Sequence, residues 1–290
     1  MKIDGKLLAS LLLTTLSEQV PKLNAKKNTP HLVVILVGND QASHAYVNQK
    51  KKKGEEIGMH VTVKQYEETV TTEELLKTLQ SLNKDKTVHG IIIQQPLPGN
   101  IDVALLLNAT NPQKDVDGFH KQSAFTPPIA EAAEEILKDV FYEIATSTSS
   151  PRNDNDFIDW LRQENIVVIG KGETGGAPII EKMKKLGVKP HVIDSKTDHP
   201  EKIKREADII ISCVGRSRIV KAEDIKKGVI LISIGMFRGE DGKLHGDYEE
   251  EEIKNVASFY TPVPGGVGPV NVAMLLKNVV QAAKTPYESH

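Results

Sequence analysis

A chain of 290 residues has room for two ordinary α/β domains or one large one. Its 39% apolar and 26% charged residues are those of a globular protein, and a formal net charge of −2 leaves no basic excess for a general nucleic-acid binder. The single cysteine, Cys213, excludes an internal disulfide, nothing has zinc spacing, and no apolar run approaches the ~20 residues of a membrane span.

The opening M-K-I-D-G-K lacks signal-peptide architecture and runs into an amphipathic leucine pattern. The expectation is a cytoplasmic protein with no metal, no membrane partner and no nucleic acid. Leu32 to Val37 is a short continuous apolar run ending in Gly38, read as a buried strand. Ala42 to Ile57 reads as a helix containing four consecutive lysines, Lys50 to Lys53, ordinarily one solvated face. His60 to Tyr66 alternates with period two. Thr71 and Glu74 have capping-box spacing ahead of Leu75, Leu76 and Leu79. Gly90 to Gln94 is a third strand, closed by Pro96 and Pro98.

The stretch from Ala145 to Asp156 is the most polar in the chain and reads as a linker or surface loop. A second α/β series follows: a strand at Ile166–Ile169, a helix to Leu186, then apolar runs at His191–Ile193, Ala207–Val214 and Val229–Ile234. From Gly268 the chain is an amphipathic helix. Strands alternating with helices predict parallel sheets covered by helices.

Gly170-Lys171-Gly172-Glu173-Thr174-Gly175 lies between a strand and a helix, the context of a dinucleotide turn. Its glycines let backbone N–H groups approach a pyrophosphate at the positive end of a helix. The bland alternative is a glycine turn that merely packs helix on sheet. The next strand ends in Asp194-Ser195-Lys196. Asp194 suits the ribose 2′-hydroxyl of NAD, whereas Ser195, Lys196 and Lys171 suit the 2′-phosphate of NADP, so the residues leave both cofactors open.

Three motifs in the first half have no part in binding a dinucleotide. Tyr46 and Lys50, within S-H-A-Y-V-N-Q-K, share a helix face, and a lysine beside an aromatic plate in a dry cleft can transfer protons. Gln94 in Q-Q-P-L-P stands at the carboxyl end of a strand, and K-D-V-D-G-F forms an acidic turn around Asp117. Each alone has a structural explanation: surface helix, proline turn, Asp-Gly loop.

Taken in order with T-P-V-P-G-G-V-G-P at Thr261–Pro269, these motifs resemble the bifunctional methylenetetrahydrofolate dehydrogenase/methenyltetrahydrofolate cyclohydrolases. The resemblance implies an N-terminal three-layer α/β catalytic domain (1–144 with the returning helix 268–290) and a Rossmann-type domain (145–267). It implies NADP-dependent oxidation followed by hydrolysis to 10-formyltetrahydrofolate, in one-carbon metabolism and purine biosynthesis, by a homodimer. Catalytic roles fall on Lys50, Gln94 and Tyr46, and substrate contacts on Ser43, Tyr46, Asp117, Pro264, Gly265 and Gly266. Cofactor contacts fall on Gly170, Lys171, Gly172, Thr174, Gly175, Asp194, Ser195, Lys196, Cys213, Val214, Gly215 and Gly235.

The chain departs from the family pattern at several points. Lys171 stands where an arginine is usual and Asp194 where a histidine is common. Gln95 replaces a leucine, Asn271 a threonine, the segment from Phe119 to Thr126 is short, and 145–164 is long. One retained activity, an NAD-dependent dehydrogenase of another metabolite, and a non-catalytic dinucleotide sensor are the competing readings.

Overall fold

The computed structural model describes residues 1–146 and 153–285. Contacts divide the chain into two units, one of Ser10–Pro128 with the chain from Val272 onward, the other of Met1–Ala9 with Ile129–Asn271.

In the first of these, α1 (Gly5–Asn24, from Ser10) precedes β1 (His31–Val37), α2 (Gln41–Glu56), β2 (His60–Tyr66), α3 (Thr72–Lys84), β3 (Gly90–Ile93) and α4 (Val103–Ala109). The strands form a parallel sheet in the order β2-β1-β3. Central β1 is apolar from Leu32 to Val37 because it is covered on both faces. Val33, Ile35 and Val37 enter a core with Leu75, Leu79 and Leu106, while Leu32, Val34 and Leu36 enter another with Val47, Leu275, Leu276 and Val279. The alternation of side chains along a strand divides one run between two cores.

The ends of α3 are both closed by side chains. Thr71 and Glu74 make the expected capping box. At the other end Lys114, 1% exposed, donates from Nζ to the carbonyls of Leu82 (2.8 Å), Asn83 (2.9 Å) and Asp85 (2.7 Å). Those carbonyls have no partner within the helix, so a buried cation solvates them. The same segment pairs with the edge of β3 through Ile91 N and Lys114 O (2.8 Å), which carries Asp115 to Asp117 to the end of the sheet.

The second unit holds α5 (Pro128–Thr146, from Ile129), α6 (Asp154–Gln163), β4 (Ile166–Ile169), α7 (Gly176–Lys185), β5 (His191–Ile193), α8 (Pro200–Glu206), β6 (Ile209–Ser212) and β7 (Ile230–Ser233). A hairpin of β8 (Met236–Arg238) and β9 (Leu244–Gly246), α9 (Glu250–Ile253) and β10 (Phe259–Tyr260) complete it. Its parallel sheet runs β10-β7-β6-β4-β5, and Lys2 bridges Tyr260 at the β10 edge. The final helix, α10 (Val267–Lys284), is counted from Val272 with the first-sheet unit. There Asn278 Nδ2 donates to the carbonyls of Val116 (3.0 Å) and Thr126 (3.1 Å).

The polar stretch at Ala145–Asp156 differs from the expected loop at both ends. Helix α5 runs to Thr146, and α6 begins at Asp154 behind an Asn153–Asp156 capping box; 147–152 lie outside the described residues. N-D-N-D reads as a turn composition, yet here it is a helix start. The contact division falls at 128/129 and 271/272, in contrast to the 144/145 and 267/268 read from the sequence. The ring of Phe141 on α5 lies 5.8 Å from Phe157 and 5.4 Å from Trp160, which joins α5 to the second unit's packing. No helix among the described residues is long and apolar enough to cross a membrane.

Candidate active site

Helix α2 starts at Asp40, whose Oδ2 accepts from Ser43 N (2.7 Å) and holds that buried serine in the first turn. Two turns on, Lys50 is 5% exposed while Lys51 and Lys52 face solvent. Lys50 Nζ donates to Gln94 Oε1 at 3.0 Å and lies 5.0 Å from the centre of the Tyr46 ring. Gln94 directly follows β3, its backbone N–H held by Ile35 O (2.9 Å) and its Nε2 donating to Gln95 O (2.7 Å). With Nε2 so engaged, Oε1 is the oxygen presented to the lysine.

Burial pushes the Lys50 ammonium below the usual lysine range, and the Asp117 charge pulls the other way. Burial pushes the Asp117 carboxyl up, against the attraction of Lys50 and with added repulsion from Asp115. Both groups are thus driven toward their neutral forms, the condition for exchanging protons with a substrate. Asp117 sits in a tight turn that requires Gly118 (φ +74°), where a Cβ would fall 2.7 Å from Pro127 N and 2.8 Å from Phe125 O. Ser43, Tyr46, Lys50, Gln94 and Asp117 therefore all belong to the first-sheet unit.

In the second unit the glycine turn follows β4. Gly170 needs φ +89°, and its N–H donates to Ile193 O (2.8 Å). A Cβ on Gly176 would lie 1.9 Å from Gly170 O, whereas one on Gly172 would meet nothing within 4 Å. The closest approach therefore belongs to Gly176, which the G-x-G-x-x-G spacing passes over. Helix α7 opens on this turn, where Gly175 N and Ala177 N donate to Gly172 O (3.2 and 3.0 Å) and Pro178 carries no N–H, so an anion here would meet the amides of the turn itself and the positive end of the helix. The residues present fit an anionic dinucleotide phosphate.

Lys171 Nζ lies 2.6 Å from Asp194 Oδ2, and Asp194 Oδ1 accepts from Lys196 N (2.9 Å) and Thr197 Oγ1 (3.3 Å). The hydrogen bond from Lys171 and that from the Lys196 backbone hold the Asp194 carboxyl down at about 2. The two residues read as rivals for NADP and NAD are thus partners. Thr174, Ser195 and Lys196 are exposed around them.

Cys213 abuts the same turn: its N–H donates to Ile169 O (2.8 Å), and its carbonyl O stands 3.1 Å from the Cβ position of Gly170. Burial pushes its thiol up to about 12, so it acts as packing and not as a nucleophile. Gly235 is required by crowding, since a Cβ there would be 2.2 Å from Gly215 N and 2.4 Å from Asp247 Oδ2. Asp247, buried and beneath Val214 and Gly215, was not singled out by sequence; H-G-D is too common a tripeptide to draw notice. Gly266 is buried against Gly5, where a Cβ would be 1.9 Å from Gly266 O, while Pro264 is exposed and Gly265 takes φ +106°.

A family model for the catalytic domain of tetrahydrofolate dehydrogenase/cyclohydrolase matches residues 3–117, and one for its NAD(P)-binding domain matches 156–287. The bifunctional protein FolD of Lactococcus lactis is 38% identical over 286 residues, 97% of this chain and 96% of its own. A crystal structure of the bifunctional FolD methylenetetrahydrofolate dehydrogenase/cyclohydrolase from Campylobacter jejuni is 36% identical, covers 98% of both chains and superposes with a TM-score of 0.89. The Trypanosoma brucei enzyme, complexed with NADP and an inhibitor, is 29% identical with a TM-score of 0.85 over 98% of this chain and 97% of its own.

Proposed function

The chain belongs to the tetrahydrofolate dehydrogenase/cyclohydrolase family, and from that premise we propose that it oxidises 5,10-methylenetetrahydrofolate with NADP and hydrolyses the product to 10-formyltetrahydrofolate. The observation that carries the assignment is the buried Lys50, held by Gln94 Oε1 under the Tyr46 ring. A lysine so placed has no packing reason to be polar, since an apolar residue would fill the space at lower cost.

NADP, held at the Gly170–Gly176 turn, would supply the hydride acceptor for the carbon that bridges N5 and N10. The flat aminobenzoyl part of the folate stacks on Tyr46, and Asp117 accepts from the pterin amino and ring N–H donors. Water then adds to the bridge carbon. Lys50, brought toward neutrality by burial, accepts a proton and returns it as the ring opens, while Gln94 fixes where Nζ stands. Ser43 lies one turn before Tyr46 on the same helix, beside the substrate. Gly170, Gly172 and Gly175 receive the pyrophosphate, and Lys171, Ser195 and Lys196 surround the adenosine ribose. Cys213, Val214, Gly215 and Gly235 form the neighbouring wall; Pro264, Gly265 and Gly266 complete the folate contacts. A homodimer in the cytoplasm is the expected working form.

Steady-state assays with methylenetetrahydrofolate, run separately with NAD and NADP, test the reading directly. Lys50→Met is expected to lower methenyltetrahydrofolate hydrolysis by about a hundredfold or more, the usual worth of a positioned proton-transfer group. Hydrolysis at the parent rate in that variant would sink the role of Lys50. The Lys171–Asp194 pair favours a second cofactor reading, in which NAD is also accepted, because the 2′-phosphate must compete with a carboxylate for the lysine.

A further inference from the structure

Asp247 follows β9 and is completely buried. Its Oδ2 accepts from Ser212 Oγ (2.6 Å) and Val214 N (2.9 Å), and its Oδ1 from Gly215 N (2.7 Å) and Arg216 N (2.9 Å). Four donors and no acceptor surround it, the arrangement an ionised carboxylate requires. Its own backbone is pinned as well, with Asp247 N donating to Ser233 Oγ (3.0 Å) and Val220 N donating to Asp247 O (3.0 Å). Gly235 leaves the space the carboxylate occupies.

The three amides belong to consecutive residues of the loop after β6, at the carboxyl edge of the parallel sheet, where such folds bind ligands. The loop touches the glycine turn through Cys213. With three N–H groups turned onto Asp247, Val214 to Arg216 have none left for a phosphate. They offer carbonyls and side chains, which suit ribose hydroxyls and a carboxamide, and the pyrophosphate falls to the turn at Gly170–Gly176.

We propose that Asp247 is a positioning residue for the dinucleotide, holding the Val214–Arg216 loop in the one shape that leaves its carbonyls to the nucleoside. The inference rests on the dinucleotide reading given above. Its test is calorimetric titration of the 290-residue protein with NADP and with NAD, beside steady-state kinetics. Asp247→Asn keeps the size of the side chain but turns an NH2 toward amide donors. It is expected to raise the Kd for both dinucleotides about tenfold or more, with their KM values rising in step and the KM for methylenetetrahydrofolate unmoved. Ser212→Ala removes one donor and leaves the amides, so it shifts the same Kd values in the same direction by less. Lys204→Met breaks the buried Lys204–Asp224 pair (2.6 Å) elsewhere in the unit and is the control, expected to lower the melting temperature with dinucleotide affinity intact.

Unchanged Kd values in a folded Asp247→Asn protein overturn the proposal. So does a loss of affinity in Lys204→Met equal to that in Asp247→Asn at the same loss of melting temperature. If Asp247→Asn does not fold, Ser212→Ala decides, and parent affinity there also overturns it. A parent protein that binds neither dinucleotide removes the underlying reading together with this one.

Discussion

The run Lys50 to Lys53 puts one side-chain type into contrasting environments. Lys51 and Lys53 pair with Glu55 and Glu56 at the surface, the solvated face a lysine run ordinarily makes. Lys50 is turned inward, and its chemistry changes with its surroundings. Because burial lowers its pKa, the rising limb of the cyclohydrolase pH–rate profile is expected below the ~10.4 of an ordinary lysine. The Asp117 charge raises the Lys50 pKa, so Asp117→Asn lowers it further and moves that limb to lower pH. A limb that stays in place or moves up would show that another group is titrating. Lys171 and Asp194 make the same point about charge. In Asp194→Asn the lysine is released and the charge that would repel a 2′-phosphate at this position is gone, so the ratio of kcat/KM for NADP over NAD is expected to rise about tenfold. Kinetics with both cofactors measure it; an unchanged ratio means the pair does not meet the ribose.

At the scale of elements, the strands were the most legible part. β1 to β5 are short apolar or alternating runs bounded by breakers, and each lies within a residue or two of where the pattern put it. The capping box at Thr71 was equally visible. What closes the other end of α3 was not, because Lys114 reaches it through space from beyond α4. Lys114→Met leaves three carbonyls without their cation and is expected to cost about 3 kcal/mol, read from urea unfolding monitored by circular dichroism. A loss under about 1 kcal/mol would place it among ordinary surface ion pairs. The hairpin β8–β9 escaped notice because three-residue strands carry too little pattern. The start of α6 was hidden for another reason, since cap residues and turn residues are the same amino acids.

For the molecule as a whole, Ser43, Tyr46, Lys50, Gln94 and Asp117 fall in one contact unit and the glycine turn in the other. Hydrolysis of the methenyl bridge consumes no dinucleotide, so the two activities are expected to separate. Gly176→Val forces a side chain onto Gly170 O and should abolish dinucleotide binding and the dehydrogenase, leaving the cyclohydrolase within about twofold of the parent, because no dinucleotide takes part in that hydrolysis. Equal loss of both activities in a protein that still melts cooperatively would refute that separation.

The sequence by itself determined the alternation of strands and helices, the family, and the identities of the side chains now grouped around Lys50. These are written in periodicity and in short motifs, which survive without knowledge of neighbours. Only the tertiary structure decided that Lys50 alone of its run is buried, that Lys171 is paired with Asp194, that Gly176 makes the closest approach to the dinucleotide turn, and that Asp247 lies beneath the next loop. Each depends on which distant atoms come within a few ångströms, and burial, charge and crowding have no value until those neighbours are in place.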